Sequence, residues 1–90
     1  MVRASVLVSG MVQGVCFRYY TRAKAAELDV KGWVKNRMDG KLEAVFEGEK
    51  EKVEELIRWC NRGPYGAVVD GVDVNWEESK NEFAEFSIRR

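Results

Sequence analysis

Histidine is absent from this sequence. The absence removes the usual general base of neutral-pH catalysis and the commonest nitrogen ligand for a metal. Cysteine is scarce as well. Cys16 and Cys60 are too few and too far apart for a disulfide framework or a zinc site, so free thiols in a reducing compartment are expected and no metal is. Proline occurs once, at Pro64, and no linker, repeat or low-complexity segment interrupts the chain. No apolar run approaches the length of a membrane span, and the first residues lack the basic, apolar, small-residue order of an export signal. The expectation is a soluble cytoplasmic protein without a membrane partner.

Neither sign of charge dominates. Lys plus Arg and Asp plus Glu number 15 each, which leaves no global electrostatic argument for a nucleic-acid partner. The distribution is uneven, because residues 1–41 carry eight bases against three acids and residues 42–90 carry seven against twelve, or +5 and −5. Folding either interleaves these halves or leaves a basic patch. A chain of 90 residues suits one domain over 1–90 that buries roughly 60 to 65 % of its unfolded surface. A monomer is the simplest assembly.

What is present reads as alternating strands and helices. Over residues 3–9, Ala4, Val6 and Val8 fall on one face of a strand and Arg3, Ser5 and Ser9 on the other. From Phe17 to Leu28 the apolar side is Phe17, Thr21, Ala25 and Leu28, at helical spacing. Residues 30–37 return to an extended pattern, and Asp39-Gly40 before Leu42–Glu47 predicts a hairpin. Val53, Leu56, Ile57 and Cys60 mark a second helix, stopped by Gly63-Pro64. Residues 67–76 predict a strand with Val68, Val72, Val74 and Trp76 on one side, and Phe83–Ile88 a short last strand.

That order, βαββαβ plus a short C-terminal strand, packs as an α+β, ferredoxin-like split β-α-β sandwich: an antiparallel-rich sheet with two helices on one face. The fold hosts many functions, so chemistry has to come from a site.

The stretch between the first strand and the first helix holds such a site. Gly14 is free to take positive φ and let successive N–H groups converge, and the unpaired N–H groups of the first helical turn add to them. Arg18, on that turn, brings a planar fork of donors to the same place. Together they suit a phosphate or a carboxylate, although a glycine turn and a solvated arginine are also ordinary surface chemistry.

The run Val12-Gln13-Gly14-Val15-Cys16-Phe17-Arg18, followed by Gly32-Trp33-Val34-Lys35-Asn36, Asp39-Gly40, Gly48 and Gly63-Pro64, resembles the acylphosphatases. The resemblance covers nearly the whole chain, to Phe86-Ser87-Ile88-Arg89. It implies the same fold and the hydrolysis of the mixed anhydride between a carboxylic acid and phosphate, with no cofactor, metal or covalent intermediate. It also implies that Arg18 binds the phosphoryl group, that Asn36 positions the attacking water, and that the backbone of Gln13, Gly14, Val15, Cys16, Phe17 and Arg18 forms the phosphate loop. Two departures are modest. Met11 stands where many members have a base, and Asp29, where many have glycine, can still adopt a left-handed conformation at some cost.

Parity supports the placement of Asn36, which shares a side of its strand with Val30, Gly32 and Val34. An acyl phosphate is an activated anhydride with a good leaving group, so holding the phosphoryl oxygens and orienting one water supplies most of the catalysis without a general base.

Other readings compete. A cysteine phosphatase built on Cys16 lacks the arginine spacing of a Cys-x₅-Arg signature. An RNA-recognition module of the same topology would need aromatics on its third strand, where the face opposite Leu42, Ala44 and Phe46 offers Glu43, Val45 and Glu47. A non-catalytic anion- or ligand-binding module of this topology is the principal alternative, and a module of the kind found inside larger carbamoyl-transferring enzymes is a third. Trp33, Trp59 and Trp76 read as packing or partly exposed residues, and Tyr19 and Tyr20 are candidates for the pocket wall.

Overall fold

Alternation in the first strand becomes the axis of the fold. A computed structural model describes residues Met1–Arg90. The chain runs β1 (Val2–Met11), α1 (Phe17–Glu27), β2 (Lys31–Asn36), β3 (Leu42–Gly48), α2 (Lys50–Arg62), β4 (Val68–Glu78) and β5 (Phe86–Arg89). Its five strands form one sheet in the order β4-β1-β3-β2-β5, with every neighbouring pair antiparallel except β2 and β5. The expected βαββαβ order with a short last strand is the order observed.

The buried side of the sheet carries Ala4, Val6 and Val8 from β1, Leu42, Ala44 and Phe46 from β3, and Val34 from β2. Thr21 and Ala25 of α1 and Val53, Leu56 and Cys60 of α2 close over it, as their spacing requires. Leu28 caps α1 and stays buried, and Asp29 does take a left-handed conformation, φ 57°. The β2–β3 hairpin closes where Asp39-Gly40 predicts it, and the Asp39 carboxylate accepts from the Lys41 N–H and from Arg37 Nε at 3.1 and 3.2 Å. These contacts, the Lys41 N–H foremost and then the Arg37 guanidinium, hold the Asp39 carboxyl below the usual range.

Three expectations need correction. Val68 does not share a side with Val72 and Val74. The pairing of β1 with β4 shifts between Ser9 and Gly10, Ser9 facing Gly71 and Gly10 facing Val69, so the extra residue reverses the parity of β4 below it. Val69 therefore packs against the core and Val68 is 53 % exposed. Trp76 keeps its register and is partly exposed, as expected. The last strand begins at Phe86 rather than Phe83, whose ring instead lies under the Arg3 guanidinium, 5.0 Å from centroid to Cζ.

Glu47 is the third. It is only 2 % exposed, because the segment after β4 folds across it and the Lys80 N–H donates to its Oε2 at 2.7 Å. Burial alone would raise its pKa, but the Lys80 N–H and further donors, together with the Arg3 charge, more than offset it and hold the carboxyl below its usual value.

The uneven charge of the two halves is interleaved. Strand pairing brings Arg3 to Glu77 and Lys35 to Glu43, the segment after β4 brings Glu82 to Arg3, and Arg37 reaches Glu43 from beyond the end of β2.

Candidate active site

The loop from Val12 to Cys16 is anchored at both ends and free between. Val12 is buried, and Phe17 is buried against Trp59 in an edge-to-face pair with ring centroids 5.4 Å apart. Between them Gly14 (φ 77°) and Cys16 (φ 61°) both take left-handed backbone, which turns the chain from β1 into α1. Cys16 stands at the N-cap position without a side-chain capping bond, although its carbonyl accepts the Tyr20 N–H at 3.1 Å. None of the N–H groups from Gly14 to Tyr19 donates to a main-chain carbonyl. A left-handed turn running into an uncapped helix start is a concave array of main-chain donors, suited to an anion.

Arg18 is half-buried on the first turn of α1, and its Nη1 donates to the carbonyl oxygen of Arg89 at 3.3 Å. Asn36 ends β2 on the side shared with buried Gly32 and Val34, so the parity argument holds. Its amide takes no part in the side-chain hydrogen bonds of the protein. A cavity of about 360 Å³ brings these elements together: Gly14, Cys16, Phe17, Arg18 and Tyr19 form one wall, Asn36 and Ile88 another, and Val12 completes the lining.

Two residues of the expected loop turn their side chains elsewhere. Val15 lines a wider groove of about 900 Å³ beside Tyr20, Trp59 and the Gly63–Ala67 turn, and Cys16 borders both spaces. Gln13 is exposed, and its amide nitrogen donates to the carbonyl oxygens of Arg37 and Lys41 at 2.8 and 3.0 Å. Of the two tyrosines, Tyr19 faces the cavity with Asn36 and Tyr20 the wider groove. Sequence reasoning missed Ile88 and the bonds of Gln13. The first follows from β5 running parallel to β2 with Ile88 facing Val34, and no local pattern announces such a pairing.

No cluster of three or more His, Cys, Asp or Glu side chains is arranged to hold a metal. Cys60 is buried in the core, and burial pushes its thiol up to about 12, which leaves it inert at neutral pH.

The family model for acylphosphatase matches residues 4–88. An acylphosphatase of Chloroflexus aurantiacus is 53 % identical over 88 residues, covering 98 % of this chain and 96 % of that protein. One of Pelotomaculum thermopropionicum is 54 % identical over 86 residues, with 96 % and 94 % covered. The crystal structure of acylphosphatase from Bacillus subtilis matches with a TM-score of 0.96 at 32 % identity, each chain covered completely. Sequence and fold agree across the whole span that carries the loop, Arg18 and Asn36, and this chain belongs to the acylphosphatase family of hydrolases.

Proposed function

We propose that the protein hydrolyses the carboxyl–phosphate bond of acyl phosphates by direct attack of a water on the bound phosphoryl group. Arg18 and the N–H groups of the Gln13–Arg18 loop hold the phosphoryl oxygens. The Asn36 amide orients the water in line with phosphorus. The new bond joins water oxygen to phosphorus, the bond from phosphorus to the acyl oxygen breaks, and the electron pair leaves on the carboxylate. A phosphate oxygen takes the water's proton, so the absence of histidine is no obstacle.

The observation that carries this reading is the shared cavity, in which the free N–H groups, the Arg18 guanidinium and the unengaged Asn36 amide meet. One of the five guanidinium N–H donors serves Arg89, and the others remain for an anion. Metal independence, a cytoplasmic location and a monomer belong to the same proposal, and one continuous core cluster supports a single domain. The lack of a nucleic-acid partner belongs to it too, since Glu43 and Asp39 pair with Lys35 and Arg37.

Hydrolysis of benzoyl phosphate, followed by loss of ultraviolet absorbance with and without a chelator, tests it. Rapid, chelator-insensitive turnover is expected. A folded protein that binds inorganic phosphate but turns nothing over would instead be the non-catalytic anion-binding module.

A further inference from the structure

We propose that Gln13 is a positioning residue: its side-chain amide ties the phosphate loop to the neck of the β2–β3 hairpin and thereby aligns Asn36 with the loop-bound phosphoryl group. This inference rests on the activity proposed above.

The amide nitrogen carries two N–H groups, and both are used. One donates to the carbonyl of Arg37 at 2.8 Å, the other to the carbonyl of Lys41 at 3.0 Å. Those two carbonyls belong to the closing pair of the hairpin, for the Arg37 N–H donates to Lys41 at 2.8 Å and the Gly40 N–H to Arg37 at 3.3 Å. Asn36 is the residue immediately before Arg37, paired with Leu42. A single side chain from the loop thus grips both sides of the hairpin turn, next to the residue that carries the water-orienting amide.

Packing gives no competing reason for a glutamine here. Gln13 is exposed and lies outside the cavity lining, and its side chain has no donor left for a substrate. The loop has need of a tether. Residues 13 and 14 are exposed, Gly14 and Cys16 are left-handed, and the buried anchors are Val12 and Phe17 at its ends. In-line attack is sensitive to such freedom, since a misplacement of about 1 Å costs on the order of 10²-fold in rate. Phosphate binding is less sensitive, because the loop N–H groups and Arg18 stay together when loop and hairpin part.

The test compares the parent with Gln13→Ala, Gln13→Glu, Asn36→Ala and the Gln13→Ala/Asn36→Ala pair. Benzoyl phosphate turnover and competitive inhibition by inorganic phosphate are measured for each. Gln13→Ala should lower kcat roughly 10- to 100-fold while phosphate inhibition stays at the parent value, which also reports an intact loop. Gln13→Glu should fall further, because it turns carboxylate oxygens toward two carbonyl oxygens. The double variant should be no slower than Asn36→Ala alone, since an alignment with nothing to align has no effect. Unchanged kcat in Gln13→Ala overturns the proposal. So does phosphate inhibition that weakens in step with kcat, or additive losses in the double variant. A parent without turnover overturns the activity reading and this inference with it, whereas an active parent with additive losses overturns this inference alone.

Discussion

The Arg18 guanidinium donates to the carbonyl oxygen of Arg89, so the last strand holds the base that the first helix presents. A planar fork held by one N–H keeps its remaining donors aimed as a set, which a flexible ammonium does not. Arg18→Gln should weaken competitive inhibition by inorganic phosphate by about 1.5 to 3 kcal/mol, the range for a hydrogen bond to a charged group, and lower turnover with it. Phosphate inhibition equal to the parent's would remove Arg18 from the anion site.

Asn36 contributes at a different step. Its amide faces the cavity from β2 rather than from the loop, so losing it should leave the anion contacts in place. Asn36→Ala is expected to lower kcat on the order of 10²-fold or more, as for removal of one preorganised donor, with phosphate inhibition retained. Near-parent turnover in that variant would mean that something else orients the water.

Cys16 borders the cavity and is the residue a cysteine-phosphatase mechanism would need. Its backbone offers a different account of the position, because a left-handed φ of 61° is a turn requirement. Cys16→Ser should therefore keep parent turnover, and Cys16→Gly should raise stability by about 1 kcal/mol by relieving the left-handed cost. Abolished turnover in the serine variant would revive the thiol mechanism.

Glu47 makes stability depend on pH. Its carboxyl lies below the ordinary value of 4.5 in the folded protein, so the unfolded chain takes up the proton first as pH falls. The stabilisation is complete above that ordinary value and is lost as pH drops through the lower folded one. Urea unfolding midpoints should fall in the parent over that acid range and fall less steeply in Glu47→Gln. At neutral pH, Glu47→Ala should cost about 1 to 3 kcal/mol, because the Lys80 N–H loses its charged acceptor. Identical acid limbs in parent and Glu47→Gln would contradict the assignment.

Local rules carried the reading as far as local rules reach. The faces of β1, α1 and α2, the hairpin turn and the side of β2 on which Asn36 lies were all legible, because each follows from spacing within about ten residues. Val68 was misplaced because the bulge that reverses its parity sits opposite Gly10, on a strand far away in sequence. Glu47 was expected in the open because its cover, residues 79–82, has no periodicity of its own. Arg18 and Asn36 were named through family motifs, whereas the bonds of Gln13 span 24 and 28 residues and leave no trace in composition or alternation.

The strand order has a consequence for how the molecule gains its site. The first strand to leave the N-terminus lies between β3 and β4, with Val2 opposite Gly48 on one edge and Glu78 on the other. Pairings this distant close long loops before their contacts form, which slows folding relative to helical proteins of similar size. The site inherits that delay, for its lining runs from Val12 through Asn36 to Ile88. Recovery of acyl phosphate hydrolysis after dilution from denaturant should therefore time the last long-range pairing rather than the first helix.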